Sequence, residues 1–168
     1  TCALPISFKL PDNIDYDGTR RPYADSNTET LADLAMHYWA TDLKKDLANK
    51  IKPFYVDNKG TESEKYWNAR NNPATWQHMV NFTVGLGLTA SLDKENLGWD
   101  NRLGTFDSPG YLNILSGTAS WPEASSDSNN NVYDLWHTAI NSRGEFFSAD
   151  SPDAIVQAFK DIMSRIAA

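Results

Sequence analysis

Ile6-Ser7-Phe8-Lys9-Leu10 alternates apolar and polar positions with the period of a half-buried strand, and Pro11 stops it. Residues 11–27, rich in Asp, Asn and Gly, read as a polar loop. Ser26 followed by Glu29 matches a capping box. Beyond it Leu31, Leu34, Ala35 and Tyr38 fall at helical spacing, and Leu43 and Leu47 extend the pattern, so a helix is expected over about 28–48. Residues 50–75 hold Asn58, Gly60, the polar run Thr61-Glu62-Ser63-Glu64-Lys65 and Asn71-Asn72-Pro73, which is turn chemistry with little periodicity and reads as an insertion. Val80 to Gly87 alternates over four apolar positions, with small Thr83 and Gly85 on its other face, and is the strongest strand pattern in the chain.

Residues 88–131 are crowded with Gly, Ser, Asn and Asp and form a second expected insertion, with one short helix at Gly110 to Leu115 and a mobile tail at Ser125 to Asn131. Val132, Leu135, Trp136, Ala139 and Ile140 then repeat at helical spacing, and Gly144 stands where a C-cap glycine would. Glu145 to Ser148 reads as a short strand. Ser151 and Pro152 open a last helix with the stripe Ile155, Phe159, Ile162, Met163 and Ile166. Helix, strand, helix, strand, helix in this order predicts an α/β fold with a parallel sheet, its central strand at 80–86 covered by the helices at 28–48 and 152–167. Two or three strands are too few for a complete parallel sheet, so the chain is expected to be the C-terminal portion of a larger α/β domain.

Charge narrows the function classes. Lys+Arg 15 against Asp+Glu 22 leaves a net charge of -7. The basic pairs Arg20-Arg21 and Lys44-Lys45 are short and followed or preceded by Asp, so nucleic acid is excluded as a partner. No apolar run approaches the roughly 18 residues of a transmembrane helix. Thr1-Cys2-Ala3-Leu4-Pro5 lacks the parts of a signal peptide, and the absence of an initial Met suggests a mature secreted protein or a piece of a longer one. Cys2 is the sole cysteine and has no partner for a disulfide within the chain. Aromatic residues make up 12%, several of them in loop-like segments, which reads as core beneath long loops or as a sugar- or protein-binding face.

Candidate chemistry is sparse. Asn13-x-Asp15-x-Asp17-Gly18 places oxygen side chains at alternate positions before a glycine, as a calcium or magnesium loop does. The twelfth position, where a bidentate acid would close the shell, is Ala24, so an Asx-rich turn is the stronger reading. His37, His78 and His137 lack zinc spacing, although folding could join His78 to His137. Thr83-Val84-Gly85-Leu86-Gly87 has no third glycine for a dinucleotide loop, no Gly-x-Ser-x-Gly occurs, and Asn81-Phe82-Thr83 is a glycosylation sequon by pattern only. The chain is therefore read as non-catalytic.

Five blocks in order resemble the N-terminal region of the PilC/PilY proteins of type IV pili. They are Thr30 to Trp39 with Thr41-Asp42-Leu43; Trp76-Gln77-His78-Met79; Phe82 to Gly87; Ser120-Trp121-Pro122; and Leu135 to Ala149, which contains Asn141-Ser142-Arg143-Gly144-Glu145. The resemblance implies the later half of a von Willebrand factor A-like domain of Rossmann-like topology over residues 1–168, interrupted at about 50–75 and 88–131, with the family's β-propeller absent. It also implies a place at the pilus tip on the bacterial surface, where such proteins oppose pilus retraction and act in adhesion, twitching motility and surface sensing. Implied partners are minor pilins, the rest of a longer chain, and a host or abiotic surface. The metal loop of such domains, Asp-x-Ser-x-Ser with Thr-Asp-Gly, occurs nowhere in the chain, so no ligands carry over. A secreted carbohydrate-binding or carbohydrate-processing domain is the alternative.

Overall fold

A computed structural model describes residues 7–86, 106–149 and 151–167. Cys2, Gly87 and the first part of the second insertion lie outside the described residues. The fold is mixed α/β. Strands β1 (Ser7–Lys9) and β2 (Asp15–Asp17) form an antiparallel hairpin. There follow α1 (Leu31–Ala40), α2 (Glu62–Trp67), β3 (Phe82–Leu86), α3 (Pro109–Ser116), α4 (Asn131–Asn141), β4 (Glu145–Ala149) and α5 (Pro152–Ala167). Strands β3 and β4 pair in parallel, with Phe82 opposite Glu145 and Leu86 opposite Ala149, as the alternation at 80–86 predicts.

Helix α4 is the centre of the molecule. It packs on both β3 and β4 and on its other side against α1, so that Val132, Tyr133, Trp136, Ala139 and Ile140 are all buried. A helix enclosed on two sides must also bury polar groups, and several of these bond to backbone, while Thr138 Oγ1 and Asn141 Oδ1 have no partner among the described residues. Asn141 donates to the carbonyls of Tyr23 (3.3 Å) and Ala32 (3.0 Å). Asp134 accepts from the amides of Leu31 and Ala32, at 3.2 Å each, and so caps the first turn of α1 from a neighbouring helix.

Five expectations need correction. The loop at 11–27 contains β2, whose Tyr16 is buried between flanking exposed acids. The first helix spans 31–40 and not 28–48. Its capping box is Thr30 with Asp33, while Glu29, at φ 63°, lies upstream of the helix. It stops at Thr41 because the chain turns to bond elsewhere: Asp42 accepts from the Lys44 amide, and the Leu43 amide donates to the Gln77 carbonyl at 2.8 Å. The buried face is also rotated from the expected stripe, since Ala32, Ala35, Met36 and Trp39 face the core while Leu31, Leu34 and Tyr38 are exposed. The main packing of α1 is thus on α4 and not on the sheet.

Helix α5 follows its expected boundaries and packs on β4, but only Ala158 is buried; Phe159, Met163 and Ile166 lie open. Within the first expected insertion, Thr61 and Glu64 form a capping box that starts α2. In the second, Ser125 to Asn131 makes turns tied by the Ser125 amide to Asn131 Oδ1 at 3.0 Å.

Gly144 is needed for space and not for a left-handed backbone, which the preceding Arg143 adopts at φ 62°. A Cβ on Gly144 would lie 1.8 Å from the Asn81 carbonyl oxygen, where the chain entering β3 crosses the chain entering β4. Gly117, at φ 79°, has nothing within 4 Å of its notional Cβ. Gly144→Ala is therefore expected to cost about 3 kcal/mol or more by forcing two backbones apart. Gly117→Ala should cost only about 1 kcal/mol of conformational strain. Urea unfolding of the two variants checks the order; equal costs would contradict it.

Candidate functional site

The predicted metal loop folds as the β1–β2 hairpin. Asn13 sits in the turn at φ 67°, and Asp15 and Asp17 project from β2 into solvent. Both acids are engaged within the hairpin. Lys9 Nζ lies 2.7 Å from Asp15 Oδ1, while Asp17 Oδ1 accepts from the amide and hydroxyl of Thr19, which lowers the Asp17 pKa. Among the described residues no three His, Cys, Asp or Glu side chains come together as a metal shell.

The histidines are not brought together. His78 Nδ1 donates to the Trp76 carbonyl (2.6 Å) and its Nε2 accepts from Asn72 Nδ2 (2.8 Å), an arrangement that suits the neutral ring, and burial lowers its pKa. His137 is buried on α4, stacked on Trp121 at 4.4 Å, with Nε2 donating to the Tyr23 carbonyl and Nδ1 3.4 Å from Asp25 Oδ2. His37 stands at the end of α1 against Tyr38. The sequon residue Thr83 donates its hydroxyl to the Leu135 carbonyl and ties β3 to α4.

The side chain that organises the concave surface belongs to no catalytic or metal-binding motif. Arg143 is 1% exposed and its guanidinium lies 4.4 Å from the Tyr23 ring centre and 4.6 Å from that of Trp39. Its Nη1 donates to the carbonyls of Asn68 (3.1 Å) and Asn71 (3.2 Å), with a longer contact to Tyr66 (3.4 Å). Asn71, fully buried, then uses all four of its hydrogen-bonding sites: Oδ1 accepts from the amides of Val56 and Asp57, and Nδ2 donates to the carbonyls of Asp57 and Lys65. The segment after α2 is thereby held from both sides.

That segment forms one wall of a cleft of about 750 Å³ between α2 and α3. Trp67, Asn68 and Arg70 line one side, Phe106 and Tyr111 the other. Two arginines rest on the aromatic walls, Arg20 at 4.5 Å from the Trp67 ring centre and Arg70 at 5.6 Å from that of Phe106. Neither forms an ion pair among the described residues, and Arg20 Nε is buried with no partner there. Glu64 and Glu145 on the rim are occupied, the first by Thr61 and the second by Arg165 at 3.2 Å. The sequence signal for these residues was the excess of aromatics in loop-like segments; which cations mount on them depends on contacts between distant segments.

Calcium titration of the full chain is expected to show no saturable heat at micromolar ion, because the hairpin acids are held by Lys9 and Thr19 and lack a bidentate partner. A micromolar heat abolished by Asp15→Ala would restore the metal reading.

No protein-family model matches the chain, and no solved structure matches it. Curated relatives do. The chain is 55% identical over 159 residues to the type IV pilus biogenesis factor PilY1 of Pseudomonas aeruginosa strain PAO1, covering 94% of this chain and 13% of that protein. It is 54% identical over 166 residues to PilY1 of strain PAK, covering 98% of this chain and 14% of that protein. PilY1 of strain UCBPP-PA14 is 54% identical over 159 residues, 94% of this chain and 13% of its own length. The chain thus spans about an eighth of the length of the curated relatives it matches. Identity of this depth across nearly all of its residues shows that the chain belongs to the PilC/PilY family.

Proposed function

We propose that this chain is a non-catalytic module of a type IV pilus biogenesis factor, placed at the pilus on the cell surface, where it serves pilus assembly and surface attachment. The observation that carries the reading is the identity of about 55% to PilY1 over nearly the whole chain. No described helix is long and apolar enough to cross a membrane. Attachment through minor pilins and the rest of a longer chain, and roles in twitching and surface sensing, belong to the same proposal.

Within it, the chain is the later part of a von Willebrand factor A-like domain. Three features support this. Strands β3 and β4 pair in parallel, a pairing that is rarely left as two strands. Helices lie against the pair, with α4 on both strands and α5 on β4. The stripe Phe159, Met163 and Ile166 on α5 and Leu86 at the end of β3 are exposed, which suits a sheet and helix layer continued by further chain.

Replacing the matching segment of PilY1 in Pseudomonas aeruginosa PAO1 with this chain tests the reading. Surface piliation and twitching are expected to match those of the parent. A chimaera that accumulates normally but leaves cells without pili would refute the assembly role. Deleting residues 88–105 from the chimaera, which leaves the buried Tyr111, Ile114 and Trp121 in place, is expected to reduce surface attachment while pili persist; normal attachment would remove adhesion from the proposal.

A further inference from the structure

We propose that the cleft between α2 and α3 binds a carboxylate-bearing sugar. The inference rests on the adhesion reading for its biological setting only, since its evidence is the cleft itself. A volume of about 750 Å³ falls within the usual range of small-ligand sites. The two guanidinium groups on its walls are held in place by the rings of Trp67 and Phe106, and neither has a carboxylate partner among the described residues of a chain with a net charge of -7. A ring beneath a guanidinium limits the rotamer freedom that the arginine loses on binding, and guanidinium N–H groups suit bidentate recognition of a planar carboxylate.

The remainder of the lining selects among anions. Asp57, Glu64, Asp107 and Glu145 border the same space, so a phosphate dianion or a strongly acidic peptide meets about twice the repulsion, or more, that a single carboxylate does. Ser63, Asn68 and the carboxylate oxygens are the hydrogen-bond partners that sugar hydroxyls need. The faces of Trp67 and Phe106, which a proline-rich peptide would require, carry the arginines. Beyond those rings the apolar lining is Ala69, Tyr111 and Leu115.

The test is titration of the full chain, followed by NMR, with the methyl glycosides of N-acetylneuraminic acid and galacturonic acid, against the methyl ester of the galacturonide and the neutral galactoside. Saturable binding of at least one acid is expected, weakened about tenfold or more in the ester and in Arg20→Gln or Arg70→Gln. The ester comparison uses the unaltered chain, so it holds even if a variant misfolds. Absence of saturable binding by both acids, equal binding of acid and ester, or unchanged affinity in a natively folded Arg20→Gln/Arg70→Gln chain would overturn the proposal. Piliation of the chimaera is a separate readout: failure of sugar binding with normal pili removes this inference alone, and loss of pili removes the pilus role.

Discussion

The architecture depends on a buried cation that no carboxylate among the described residues neutralises. Arg143 leaves α4 in a left-handed conformation, enters the space between Tyr23 and Trp39, and reaches the carbonyls that follow α2. Burying a charge costs several kcal/mol even after relaxation. Charge-assisted bonds to carbonyls contribute about 1.5–3 kcal/mol each and a desolvated cation–π contact about 2 kcal/mol, so the aromatic faces and carbonyls together are of the size needed to offset it. Among the described residues Nε and Nη2 have no partner, so the pairing is incomplete and the residue is an expensive one to retain. Its return is positional: one side chain fixes the 66–71 segment to the α4–β4 junction.

From that junction the other constraints spread outward. Gly144, next in sequence, allows the two incoming chains to cross, and Ser142 accepts the Asn81 amide at 3.0 Å beside it. Tyr23, which stacks on Arg143, donates its hydroxyl to the Trp67 carbonyl at 2.8 Å. Trp39 and Trp76 meet edge to face, and the Trp76 indole donates to the Trp39 carbonyl. The loop-like half of the sequence is therefore ordered by aromatic and amide contacts with the helical half and not by a sheet of its own. The cleft inherits its rigid wall from this arrangement.

Much of the regular structure was legible in the sequence. The alternation at Val80 to Leu86 gave the strand, and the spacing of Val132, Trp136 and Ile140 gave α4, because each pattern has a single buried face or seam to satisfy. The extent of α1 was not legible, since Leu43 and Leu47 continue the period while a tertiary bond from Leu43 to Gln77 ends the helix. Helix α2 was overlooked because Thr61 to Lys65 reads as turn chemistry, although Thr61 and Glu64 at capping-box spacing were a usable signal. The cleft was legible only as an excess of aromatics in loop-like segments: Arg20, the Trp67 to Arg70 stretch and Phe106 are far apart in sequence, and Arg143 within Asn141-Ser142-Arg143-Gly144 carries no mark that distinguishes a buried cation from a surface one.

The central claim is that Arg143 holds the 54–72 region onto the α/β unit, and amide hydrogen exchange in an Arg143→Met chain tests it directly. Met keeps the apolar bulk and removes the charge and the donors. The account predicts that the amides of Phe54, Val56, Asp57 and Asn72, which bond across this region, lose protection by about a hundredfold or more, whether alone or together with the rest of the chain. Protection at these four amides equal to that of the unaltered chain would contradict it.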